Sequence, residues 1–151
     1  MKNIVIFDLD GTIAIIDERR KLSTKLNGKM DWDIFFDPKN ILLDKPNFAV
    51  IKTLKALKMS GFKIVILSGR LDITKAATLK WLKKYKVDFD DFKMRENTSK
   101  GKFMSDVMLK ENWLKEIGKD NIEFVFDDRK KLVEMWRNNG LICFQVADGN
   151  F

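Results

Sequence analysis

Asn3-Ile4-Val5-Ile6-Phe7-Asp8-Leu9-Asp10-Gly11-Thr12 is an apolar, β-branched run that leads directly into two aspartates, a glycine and a threonine. The run has the composition of a buried strand. Side chains two positions apart share a face in an extended strand, so Asp8 and Asp10 are expected on one face or rim, with Gly11 allowing a sharp turn after them. Like charges that close call for a counter-charge. Carboxylate oxygens suit a hard divalent cation such as Mg²⁺, which converts their repulsion into ligand charge. Asp-Gly is also a common turn dipeptide, and residues elsewhere must decide between the two readings.

Three further runs resemble the first. Lys63 to Leu67 ends in Ser68-Gly69-Arg70, Ile122 to Phe126 runs into Asp127-Asp128-Arg129, and Leu141 to Val146 closes the series, with a weaker strand between Val87 and Met94. Helical patterns lie between them. Pro46 can open a helix that turns Val50, Ile51, Leu54 and Leu57 inward and stops at Gly61. Asp72 can cap one with Ala76, Leu79 and Leu82 inward, and Ser105 one with Met108, Leu109 and Trp113 inward. A last helix runs from Lys130 to Asn139 and closes at Gly140.

Near-continuous apolar strands alternating with amphipathic helices predict an α/β fold, a doubly wound, Rossmann-like parallel sheet. Ligands of such sheets bind outside the carboxyl ends of the strands, where Asp8 and Asp10, Ser68 and Arg70, and Asp127 and Asp128 would meet. Residues 13–45 are polar and are expected to form a small helical lid after the first strand, within one domain spanning 1–151. Trp32, Phe35 and Phe36 of that segment either pack the lid down or stack on a base.

Composition narrows the chemistry. The 151 residues include no histidine, which removes His-based acid-base catalysis and His-ligated zinc, so carboxylates and lysines must carry any reaction. Net charge is +7, with basic residues dense from Arg19 to Lys29 and from Lys75 to Lys102. That field favours a polyanionic or phosphorylated partner, although lysines also line ordinary solvated helix faces. The single cysteine, Cys143, is read as a core residue. No apolar run approaches the roughly 20 residues of a membrane span, and a soluble, cytoplasmic protein is expected.

A phosphoryl group suits this rim. Asp8 can attack phosphorus without a separate base, and Asp10 can donate a proton to the leaving oxygen if its environment keeps it protonated. Mg²⁺ held by Asp8, the Asp10 backbone carbonyl and Asp127, with Asp128 as a direct or indirect ligand, would offset repulsion between carboxylate and phosphate. Thr12, Ser68 and Gly69 can bind phosphate, and Arg19 and Arg70 can do so bidentately. Lys110 is the candidate lysine, oriented by Asp106 four residues earlier, with Lys100 and Lys102 as competitors.

Asp8-Leu9-Asp10-Gly11-Thr12, Leu67-Ser68, Lys110 and Asp127-Asp128 resemble, in order and spacing, the four motifs of the haloacid dehalogenase superfamily of aspartate-nucleophile phosphatases. An acid-base aspartate at the place of Asp10 goes with its phosphatases and mutases. Ser68-Gly69-Arg70, Met94-Arg95, Phe126 to Arg129, Val133 to Arg137 and Phe144 to Phe151 are similar to the phosphatase domain of phage polynucleotide kinase/3′-phosphatase. Arg19 and Asp106 fall on matching positions. The resemblance implies Mg²⁺-dependent removal of a 3′-phosphate from a DNA or RNA end. A nucleotidase acting on free nucleoside monophosphates and a catalytically silent nucleic-acid-binding module are the alternatives. No G-x-x-x-x-G-K-[ST] kinase loop occurs: Gly101-Lys102-Phe103 lacks both the leading glycine and the hydroxyl.

Overall fold

The computed structural model describes residues 2–150. Its centre is a five-stranded, wholly parallel sheet built from β1 (Ile4–Asp8), β4 (Lys63–Leu71), β5 (Asp91–Arg95), β6 (Ile122–Arg129) and β7 (Cys143–Gly149), in the order β5-β4-β1-β6-β7. The expected doubly wound α/β architecture is therefore present. Period-two alternation divides the core into two layers. Val5, Phe7, Ile64 and Ile66 join α4 (Phe48–Met59) and α5 (Lys75–Lys84) on one side. Ile6, Val65 and Leu67 join α7 (Asp106–Ile117) and α8 (Lys130–Asn138) on the other. Phe7 stacks on Phe126 at 4.6 Å and Phe126 on Phe144 at 5.2 Å, so an aromatic row crosses three neighbouring strands.

The helix starts are largely local. Ser105 accepts a hydrogen bond from Met108 N at 3.2 Å, and Gly61 and Gly140 follow α4 and α8 with positive φ. Two expected faces need correction. In α5 the inward residues are Thr78, Trp81 and Leu82, while Leu79 and Ala76 face solvent. The reason is polar: the Thr78 hydroxyl accepts from Arg70 Nη1 at 3.0 Å, which draws that side of the helix inward. In α7 Met108 is exposed and Lys110 is buried in its stead. Pro46 does not open α4, which begins at Phe48; it lies in a two-residue strand.

The segment after β1 contains β2 (Ala14–Ile15), α1 (Asp17–Ser23), α2 (Trp32–Phe35) and α3 (Pro38–Ile41), and β3 (Lys45–Pro46) pairs antiparallel with β2 to close it. α3 packs on α5. Among the described residues no helix is long and apolar enough to cross a membrane.

Cys143 is buried and free, and burial pushes its thiol up to about 12. Alkylation by iodoacetamide at pH 8 should therefore be slow in the folded protein and complete in denaturant, as read by intact mass. Rapid modification of the native chain would contradict this burial.

Candidate active site

Strands β1, β4 and β6 each run one to four residues further than their apolar runs, and those extra residues are the rim groups. β1 ends at Asp8, β4 carries Ser68, Gly69 and Arg70, and β6 carries Asp127 and Asp128. After Asp8 the chain folds back: Ala14 N and Thr12 N both donate to Leu9 O, and Gly11 N donates to Ala14 O at 2.8 Å. Gly11 has φ +85, and a Cβ there would lie 2.1 Å from Asp128 Oδ2. Gly11→Ala should cost about 2 kcal/mol through backbone strain and displace Asp128, with loss of activity. Thermal unfolding and turnover together check this, and an active, equally stable variant would refute it.

Asp8, Asp127 and Asp128 are buried, and each offers a carboxylate oxygen within 4.8 Å of the others. Lys110 reaches them from α7. Its Nζ donates to Asp8 Oδ1 at 2.6 Å and to Asp127 Oδ2 at 3.0 Å. Burial would lower the Lys110 pKa, but Asp127 and Asp8 outweigh it and hold the ammonium above its ordinary value. Burial pushes Asp8 well up, against Lys110 and with help from Asp127 and Asp128. Asp128 is pushed up to about 6, by burial and then by Asp127. One ammonium thus faces three carboxylates, and a divalent cation would supply the missing charge: three carboxylate oxygens this close fit a hard ion such as Mg²⁺. Trp136 Nε1 donates to Asp127 Oδ2 at 3.0 Å and Asp128 N to Asp127 Oδ1 at 2.9 Å, which fix Asp127. Thr12 lies between, its hydroxyl 3.4 Å from both Asp8 Oδ2 and Asp128 Oδ1.

Asp10 belongs to a second cluster. Its Oδ1 accepts from Arg19 Nη2 at 2.7 Å and from Arg70 Nε and Nη2 at 2.8 and 2.5 Å. Asp44, just before β3, accepts from Arg19 Nε and Nη2 at 3.0 Å each and from Arg70 Nη2 at 2.8 Å. Phe35 supports the group, since Arg19 lies 4.3 Å above its ring. Burial would raise the Asp10 pKa, but Arg70 and Arg19 outweigh it and hold the carboxyl below its ordinary value. Asp44 is pushed up to about 6, by burial more than its arginines offset.

These placements differ from the sequence reading in three respects. The Asp8 and Asp10 side chains serve different clusters, because the strand ends at Asp8. Arg19 and Arg70 are fully buried on Asp10 and Asp44, so they do not lie open to a phosphate as expected. Asp106 does not orient Lys110; it pairs with Arg95 and Arg129, so its i,i+4 relation to Lys110 is a helical coincidence. Ser68 is buried and its Oγ accepts from Arg70 N at 3.2 Å, while a Cβ on Gly69 would lie 2.7 Å from Asp106 Oδ1. Lys100 and Lys102 are exposed on α6 (Ser99–Phe103) and make none of these contacts.

A parallel sheet carrying these groups on one rim is the architecture of the haloacid dehalogenase superfamily phosphatases. The overlay on a protein described as a phosphatase from Clostridium acetobutylicum, at TM-score 0.72 and 19% identity over 96% of this chain and 84% of that one, bears on the fold alone. Residues 2–151 match the family model of the polynucleotide kinase PNKP phosphatase domain, and the chain belongs to that family. It is similar to one chain of the Pnkp1/Rnl/Hen1 RNA repair complex, with 34% identity, covering 98% of this chain and 43% of that one, at TM-score 0.77. A protein of Autographa californica nuclear polyhedrosis virus, described as a bifunctional polynucleotide kinase/RNA ligase, is 30% identical over 140 residues, covering 89% of this chain and 18% of the viral protein. The chain therefore spans less than half the length of either of these two relatives.

Proposed function

We propose that this phosphatase removes a 3′-phosphate from a DNA or RNA end, depends on Mg²⁺, and passes through a phospho-Asp8 intermediate within a single unit, 1–151, whose residues 13–45 form a lid. The supporting observation is the pair of adjacent clusters: an aspartate held by a buried lysine, next to a second aspartate held by two arginines. Mg²⁺, bound by Asp8, Asp127 and Asp128 and by the Asp10 carbonyl, would neutralise charge between the Asp8 carboxylate and the phosphate.

An Asp8 oxygen attacks phosphorus as the bond to the leaving oxygen breaks, and Lys110, 2.6 Å from Asp8, stabilises the charge that collects on the phosphoryl oxygens. The leaving oxygen takes its proton from Asp10. Arg70 and Arg19 hold that carboxyl below its ordinary value, whereas proton donation needs it protonated. A phosphate dianion beside it raises the pKa and lets the carboxylate take a proton from solvent water, because a nearby like charge disfavours the ionised form. Asp10 then removes a proton from water as water attacks phosphorus and frees Asp8. Ser68 and the Gly69 backbone serve the phosphate, and Arg19 and Arg70 hold Asp10.

Family membership and the basic field support a polynucleotide substrate. Phosphate release in Mg²⁺ from a 3′-phosphorylated oligonucleotide, a 5′-phosphorylated one, and 3′- and 5′-mononucleotides provides the test. The 3′-oligonucleotide should be preferred. Preference for a 5′-mononucleotide would overturn the substrate and leave the chemistry.

A further inference from the structure

The short helix α6 is fixed firmly to the rim, yet it turns its aromatic residue outward. Thr98 Oγ1 accepts from Gly101 N at 3.0 Å, and Gly101 is buried so closely that a Cβ would lie 2.2 Å from Glu96 O. Arg95 ties the turn down, donating Nη1 to Gly101 O at 2.7 Å and to Met104 O. The same guanidinium donates Nε to Gly69 O at 3.0 Å, beside Ser68, so one side chain couples α6 to the phosphate rim. Met104 packs into the core behind it. Phe103 is left 89% exposed, with Lys100 and Lys102 exposed alongside and no acidic residue within the helix. Met108, also exposed, lies in the first turn of the next helix.

A lone exposed phenylalanine is ordinary, but one on a rigid turn, flanked by two lysines and fastened to a phosphate-binding rim, is not explained by folding. Trp32, which is also exposed, is already packed on Phe35 and Phe36. We propose that α6 is the platform for the strand leading to the 3′-phosphate: Phe103 stacks on a base upstream of the reacting end, and Lys100 and Lys102 contact its phosphodiesters. Both contacts are sequence-tolerant, since every base has a π-face and every linkage a charge. The proposal rests on the polynucleotide reading above.

The test compares the full chain with Phe103→Ala and with the double variant Lys100→Ala/Lys102→Ala, on 3′-phosphorylated oligonucleotides of one, two, four and eight residues and on an aryl phosphate. Wild type should gain kcat/KM with length. Phe103→Ala should lose about 10-fold on the longer substrates, through KM, and nothing on the aryl phosphate or mononucleotide. The lysine variant should lower the slope of log KM against log salt by about 1.4 on the eight-residue substrate. Wild-type length dependence retained by both variants would overturn the platform and spare the polynucleotide reading. Aryl phosphate turnover with no oligonucleotide turnover by any of the proteins would overturn that reading, and the platform with it.

Discussion

Asp8→Asn is expected to lower turnover by about 10⁴-fold or more while leaving the fold as stable as wild type, or more so. The loss follows from chemistry: an amide oxygen is too weak a nucleophile to form the acyl phosphate, and removing a covalent nucleophile costs most of an enzyme's rate enhancement. The stability result follows from the charge inventory. Asp8, Asp127 and Asp128 share one ammonium, and burial with mutual repulsion pushes Asp8 well up, so its charged form is disfavoured in the metal-free fold. Lys110 keeps its 3.0 Å contact to Asp127 after the change. Added Mg²⁺ should raise the melting temperature of wild type by mass action and that of the variant by less. Aryl phosphate turnover, acid-quenched labelling of the protein from a 3′-³²P substrate, and melting with and without Mg²⁺ check the three parts. Wild-type turnover in D8N would sink the covalent mechanism. A large loss of stability would mean that Asp8 is structural.

Much of this site is legible in the chain because it is written at strand ends. A strand announces itself through apolar, β-branched residues over about five positions, and a charged group next to such a run must lie at the rim of a parallel sheet. Asp8, Ser68, Asp127 and Asp128 are placed by that rule, and Lys110 by its helix. Asp44 escapes it. It follows no strand, lies in a polar segment, and owes its meaning to Arg19 and Arg70, 25 and 26 residues away. Arg95 and Arg129 had only local neighbours to suggest roles. The one pairing inferred from local spacing, Asp106 with Lys110, fails for the same reason: a helix offers an i,i+4 partner, but a buried lysine goes to the carboxylates of the sheet, where its charge is compensated. Side-chain destinations across the fold decide these roles.

Asp44 should prove the most sensitive position outside the cluster of Asp8, Asp127 and Asp128. Its carboxylate is fully buried and accepts three hydrogen bonds from Arg19 and Arg70, and its carbonyl accepts from Trp81 Nε1 at 2.8 Å. Asp44→Ala leaves two buried guanidiniums with Asp10 as their remaining carboxylate. Breaking a buried ion pair by removing one partner costs about 3–5 kcal/mol, which for a chain of this size lowers the melting temperature by roughly 10 °C. Activity should fall by about 10²-fold or more, since Asp10 is aimed by the same two arginines and, under the proposed mechanism, small displacements of the group that moves the proton cost that much. Asp44→Asn separates the two effects. The amide keeps the shape and an acceptor oxygen, so the fold should suffer less. Both arginines then neutralise Asp10 alone, its pKa falls further, and the proton-donating step slows. Thermal melting and a pH profile of aryl phosphate turnover measure each. If Asp44→Ala stayed within 1 kcal/mol of wild type, the arginine pair would have another anchor. Asp44 lies just before β3, so these contacts also tie residues 13–45 to Asp10, and under the proposed mechanism a shift of that segment would change the proton-donating step.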